Sequence, residues 1–217
     1  MKKVYDIIAF DLDGTLTDPS RGFIEGCKYA FSKMGMECES DEALKRFIGP
    51  ALFDEWQICY GFSPEEARRA VMLFREYYSV YGWWDNEIYP GVREMLAALK
   101  SGGKKLILAT SKPEVFARNI LDKFSLTEYF DFIGAATSNL KREKKWEVLS
   151  YALDGIGARE LSKCIMVGDR KYDAEGAKIC GIDSLGVLYG HGTWEEHIAA
   201  GFNYVCKTTR DVTDILI

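Results

Sequence analysis

The feature that most constrains this chain is a series of short, nearly continuous apolar runs, each followed by an amphipathic stretch. Val4–Phe10 opens the series and is closed by Asp11. Further runs fall at Leu106–Ala109, Phe132–Ala136, Cys164–Val167, Ser184–Leu188 and, with a fainter pattern, Tyr204–Cys206. Helical periodicity fills the intervals near 90–101, 113–123, 144–154, 171–180, 193–200 and 208–216. Apolar runs without two-residue alternation are strands covered on both faces, and strands alternating with helices build a parallel sheet. The pattern predicts an α/β fold with a doubly wound, Rossmann-like parallel sheet.

Residues 16–83 break the rhythm. They contain no convincing strand and offer roughly four helices, about Ser20–Met34, Asp41–Ile48, Ala51–Tyr60 and a fourth opening at Ser63-Pro64-Glu65-Glu66. That tetrapeptide is a capping box with proline at the first helical position. The expected division is therefore an α/β core of residues 1–15 and 84–217 carrying an all-helical insert of residues 16–83. Ligands of open α/β sheets bind beyond the carboxyl ends of the strands. An insert leaving the first strand at that end would sit over the crevice as a cap.

Charge and composition exclude some partners. The net charge is −5, which provides no global attraction for a nucleic acid polymer or an anionic membrane. Any anionic ligand has to be attracted locally. No stretch approaches the roughly 20 apolar residues of a membrane span, and the N-terminus is too soon interrupted by charge to be a signal peptide. Six scattered cysteines without a Cys-x-x-Cys pair suit a reduced, cytoplasmic chain. His191 and His197 are expected in structural or surface positions, and the oligomeric state is expected to be a monomer or weak homodimer.

Polar residues gather where the strands end. Asp11 and Asp13 follow the first run, Thr110-Ser111-Lys112 the second, and Gly168-Asp169 with Asp173 the fourth. Lys141, Lys144 and Lys145 lie between a strand and a helix. Each cluster alone has a plain structural meaning. Asp and Gly favour turns, Thr110 or Ser111 would cap a helix near Pro113, and the lysines would make a solvated face. Their common position at one sheet edge predicts that they converge.

On these residues the sequence resembles the haloacid dehalogenase superfamily, specifically its small phosphatases with a helical cap, over nearly the whole chain. Asp11-Leu12-Asp13-Gly14-Thr15-Leu16-Thr17 matches the first motif, Thr110 the second, and Gly168-Asp169-Arg170-Lys171-Tyr172-Asp173 the fourth. The third motif is a lysine. Many relatives carry a Lys-Pro pair that is absent here; spacing to the helix at Trp146 favours Lys145, with Lys144 the close alternative and Lys141 a more distant one.

The resemblance implies a phosphomonoester hydrolase acting on a small phosphorylated metabolite, phosphoglycolate-like or a nucleoside monophosphate. Asp11 would be the nucleophile that forms an aspartyl-phosphate, and Asp13 the general acid and base. Thr110, Ser111 and Lys145 would hold phosphate. Four acids around an anion site repel both each other and the substrate unless a hard cation intervenes. Mg²⁺ is the implied cofactor, with Asp11, the Asp13 carbonyl and Asp169 as ligands and Asp173 one step behind them. A dehalogenase needs no acid to protonate halide, so Asp13 points to phosphate chemistry. A sugar-phosphate mutase and a non-catalytic binding protein on the same fold are the alternatives. In the insert, the Phe47-Ile48-Gly49-Pro50 turn with Arg46 is the expected specificity loop. The insert's aromatics, among them Trp56, Phe74 and Tyr78, suit cap core better than a base-stacking wall.

Overall fold

A computed structural model of the chain describes residues 3–50, 52–137 and 142–217. It separates into two compact units, Met1–Thr17 with Ile88–Ile217, and Asp18–Glu87. Two short strands, β2 (Thr17–Asp18) and β3 (Glu87–Ile88), pair where the chain passes between them.

The larger unit is built on six parallel strands. β1 (Ile7–Phe10), β4 (Lys105–Pro113), β5 (Phe132–Ala136), β6 (Cys164–Gly168), β7 (Asp183–Val187) and β8 (Tyr204–Cys206) lie in the order β5-β4-β1-β6-β7-β8. The first strand is thus central, with the chain winding out to both sides of it. That is the switch point at which open α/β sheets hold their ligands. Helices α5 (Val92–Ser101), α6 (Glu114–Lys123), α7 (Lys145–Ile156), α8 (Lys171–Cys180) and α9 (Trp194–Ala200) connect the strands, and α10 (Thr209–Leu216) follows β8. Register fixes the site: Phe10 pairs with Leu108 on one side and Val167 on the other. Asp11, Thr110 and Asp169 therefore leave neighbouring strands within two residues of a common level.

Two elements differ from the pattern-based expectation. β1 begins at Ile7 rather than Val4, because Val4 is 62% exposed and has no core to face. β4 runs on through Thr110 and Ser111 to Pro113, with a register shift against β5 between Thr110 and Pro113. Proline disfavours helical backbone at the residue before it, so the helix is delayed to Glu114. α6 carries no side-chain cap, and neither Thr110 nor Ser111 caps it.

Ala9, Ile107, Ala109 and Met166 of the sheet pack under Val148, Leu149 and Ala152 of α7 and Ala177 of α8, all essentially inaccessible to solvent. The helical unit comprises α1 (Ser20–Met34), α2 (Asp41–Leu44), α3 (Leu52–Tyr60) and α4 (Pro64–Tyr77), with a short 3-10 turn at Lys45–Phe47 and a π turn at Tyr78–Gly82. Ser63 and Glu66 close the expected capping box on α4. The unit has an aromatic core of its own: Phe31 and Phe47 each stand 4.9 Å from Trp56, and Phe23 lies 4.7 Å from Phe74. Trp56, Phe74 and Tyr78 are buried, as core aromatics are, whereas Tyr81 and Trp84 are exposed. Among the described residues, no helix is long and apolar enough to cross a membrane.

Leu149→Ala removes a fully buried side chain at the α7–sheet seam. It is expected to lower unfolding free energy by about 2–5 kcal/mol in urea titration, as other large-to-small core substitutions do.

Candidate active site

The site begins with the turn after β1. The Asp11 amide continues the ladder to Val167 O at 2.9 Å, and the amides of Leu16 and Thr17 then turn back onto Leu12 O at 2.9 and 3.0 Å. Gly14 takes φ +82°, and a Cβ there would fall on the Asp169 carboxylate. The segment is therefore the turn its composition suggested, and the same turn presents two acids at the sheet edge. Its glycine is needed both for its backbone angle and for lack of space.

Of Lys144 and Lys145, it is Lys145 that the structure brings to Asp11. It is the first residue of α7 and is buried, with Nζ 2.7 Å from Asp11 Oδ1, 3.0 Å from Asp173 Oδ1 and donating to Ala109 O at 3.2 Å. Burial alone would favour loss of its proton, but the charges of Asp11 and Asp173 outweigh that and hold it charged above the ordinary lysine range. Lys144 is exposed at the helix N-cap, and Lys141 lies outside the described residues. The Leu12 amide also donates to Asp11 Oδ1, at 2.8 Å.

Asp169 and Asp173 are fully buried. Asp169 accepts from the Thr15 hydroxyl at 3.3 Å and the His191 amide at 2.9 Å. Asp173, in the first turn of α8, accepts the Arg170 amide at 3.0 Å. Burial, reinforced by the neighbouring Asp173 and Asp11 charges, drives the Asp169 carboxyl well above the carboxylate range. Burial also pushes Asp173 up to about 6, against the pull of Lys145. Carboxyl oxygens of Asp11, Asp169 and Asp173 lie within 4.8 Å of one another. Three crowded, buried carboxylates form an oxygen-only donor set, which fits a hard divalent cation such as Mg²⁺. Asp173, expected one step behind the ligands, holds Lys145 at 3.0 Å and also places an oxygen within 4.8 Å of the other two acids.

The Asp13 side chain meets a different lysine. Its Oδ2 pairs with Lys112 Nζ at 2.5 Å, and its buried Oδ1 has no hydrogen-bond partner among the described residues. Thr110 is buried, with Oγ1 accepting from the Lys112 amide at 3.2 Å, and Ser111 is half-buried beside it. In the helical unit, Arg46 pairs with Glu39 at 2.8 Å and donates to the Tyr60 hydroxyl at 2.8 Å, while Gly49 is exposed with φ +103°.

The segment Tyr189-Gly190-His191-Gly192, which follows β7, entered the sequence reading only through His191, expected in a structural or surface position. Tyr189 donates to Thr15 O at 3.0 Å, and a Cβ on either glycine would collide with the Asp169 residue. His197 Nε2 lies 2.7 Å from Asp169 O. Two glycines flanking a histidine beyond a sheet strand, at the edge already holding the acids, were the available signal.

The haloacid dehalogenase-like hydrolase family matches residues 8–187 of the chain. A 5′-nucleotidase from Pseudomonas aeruginosa is 36% identical over 212 residues, 98% of this chain and 96% of that protein. The tyrosine-protein kinase PtkA of Mycobacterium tuberculosis is 35% identical over 187 residues, 86% of this chain and 63% of that protein. Phosphoglycolate phosphatases from Vibrio species match over nearly their full length as well. Among solved structures, one from Clostridium difficile is 44% identical with a TM-score of 0.89, and all of both chains is covered. The chain belongs to the haloacid dehalogenase-like hydrolases and is an enzyme of their phosphatase type.

Proposed function

We propose that the protein is an Mg²⁺-dependent phosphomonoester hydrolase working through an aspartyl-phosphate on Asp11. The observation that carries this is the placement of Asp11 at the centre of the sheet edge, with Oδ1 held by Lys145 and the Leu12 amide and Asp13 two residues away on the same turn. Asp11, Asp169 and Asp173, together with the Asp13 carbonyl, would hold Mg²⁺, which neutralises the acids and the oxygens of a phosphoryl group. With Oδ1 occupied, Asp11 Oδ2 attacks phosphorus and the bond to the ester oxygen breaks. Asp13 gives its proton to that leaving oxygen, then takes a proton from the water that attacks phosphorus and frees Asp11. Thr110 and Ser111 hold the phosphoryl oxygens that are not transferred, and Lys145 offsets their charge.

The 36% identity to a 5′-nucleotidase over the full length favours a nucleoside monophosphate as substrate, with phosphoglycolate the second candidate. Arg46 and Gly49 are the proposed specificity positions. Arg46 would exchange its Glu39 partner for a substrate anion. The enzyme is proposed to act in the cytoplasm as a monomer or weak homodimer.

A phosphate-release screen over nucleotides, phosphoglycolate and hexose phosphates tests the assignment; isomerised sugar phosphate in place of free phosphate would establish a mutase instead. Asp11→Asn is expected to lower turnover by roughly 10⁴–10⁶-fold, the scale of losing a covalent nucleophile. Chelation should abolish activity, and Mg²⁺ at about 100 times its Kd should restore it and raise stability by about 2.7 kcal/mol. In the first turnover, read as the burst of released alcohol, Asp13→Ala should slow alkyl phosphates by about 10²–10⁴-fold but nitrophenyl phosphate by less than about 10-fold, because nitrophenolate leaves without a proton. Equal losses on both substrates in that burst would remove Asp13 from protonation of the leaving group.

A further inference from the structure

The Asp169–Arg170 peptide is shared by two of the three clustered acids. Its Cα side carries Asp169, and its N–H, on Arg170, donates to Asp173 Oδ2 at 3.0 Å. Its carbonyl has its own partner, His197 Nε2 at 2.7 Å. A carbonyl only accepts, so Nε2 carries the proton and donates. The orientation of this one peptide plane thus aims Asp169 and holds Asp173, and the histidine fixes it from the opposite face.

His197 is costly to keep as a mere filler. Its ring is fully buried, and Nδ1 has no hydrogen-bond partner among the described residues. Leaving such a group unsatisfied costs stability that an apolar side chain of similar shape would keep. The ring is enclosed as well: a Cβ at Gly186 would lie 2.7 Å from Nδ1, and Phe202 packs 4.7 Å from the ring centre. The next residue back, Glu196, accepts the Lys171 amide at 2.8 Å and Arg170 Nε at 3.0 Å, so the start of α9 grips the same loop twice more.

We infer that His197 is a positioning residue for the metal-holding acids: its contact with the Asp169 carbonyl locks the Asp169–Arg170 peptide and thereby sets Asp169 and Asp173 together. This rests on Mg²⁺ binding at the acid cluster. Losing an outer partner of metal ligands typically weakens metal affinity by about 10–100-fold. Glutamine can place an amide N–H near the position of Nε2, whereas phenylalanine and leucine cannot donate at all.

The test follows the thermal unfolding midpoint of chelator-treated protein during Mg²⁺ titration, with kcat and KM for nitrophenyl phosphate measured at saturating Mg²⁺. His197→Phe and His197→Leu are expected to raise the half-saturating Mg²⁺ concentration by about 10–100-fold, while KM at saturation shifts much less. His197→Gln should recover most of the affinity. Affinity unchanged in a folded donor-less variant, glutamine no better than phenylalanine, or failure of both donor-less variants to fold would each overturn the positioning role. Absence of any Mg²⁺-dependent shift in the unaltered protein would instead remove the metal assignment, and this inference with it.

Discussion

Three carboxylates buried within 4.8 Å of one another are the constraint around which the rest of the site is arranged. Left alone, such a cluster would resist ionisation, and the raised values of Asp169 and Asp173 express that resistance. The only ammonium bonded to the cluster among the described residues is Lys145, and it serves Asp11 and Asp173 at once. The remaining support comes from neutral donors: the Leu12, Arg170 and His191 amides and the Thr15 hydroxyl. Neutral donors orient a carboxylate without cancelling its charge. The cluster is therefore held in place yet still short of positive charge, which is the condition a divalent cation relieves.

That support explains why so many glycines border the site. A carboxylate held by main-chain amides needs the main chain close to it, and a Cβ at Gly14, Gly168, Gly190 or Gly192 would occupy the space that Asp169 or Asp173 already fills. Glycine at 14 also meets a backbone angle of +82°. The glycines thus belong to the electrostatics as much as to the turns. Close backbone approach is what allows acids to stay buried with few charged partners.

Most of the sheet was legible because its strands are covered on both faces and read as unbroken apolar runs. Placing Asp11, Thr110 and Asp169 on one edge then required only the direction of those strands. The end of β4 was harder: Thr110-Ser111-Lys112 has good capping residues, and the effect of Pro113 on the residue before it decided for extended chain. The Lys112–Asp13 pair and the Asp173 position depend on side-chain direction, which strand order does not supply. The part played by the Tyr189–Gly192 segment was missed because its contribution is largely backbone. An amide donated by His191 leaves no chemical signature in the identity of residue 191. His197 was expected in a structural or surface position; it is buried, and its acceptor is a main-chain carbonyl that periodicity cannot reveal.

The charge balance ties the global composition to the chemistry. A chain of net charge −5 offers a phosphate ester no long-range attraction. The two buried lysines do not offer it locally either, because Lys112 is paired with Asp13 and Lys145 with Asp11 and Asp173. Four acids against two ammonium groups leave the site anionic when all are ionised, so a dianionic substrate would be repelled. Bound Mg²⁺ would bring that balance to neutrality and leave the lysines to be shared with the incoming phosphate. On this account substrate binding is conditional on the cation, and the aim of Asp169 and Asp173 acts on substrate only through the occupancy of the metal site. Specificity is then a separate problem. The clustered acids belong to the α/β unit, whereas the helical unit has an aromatic core of its own.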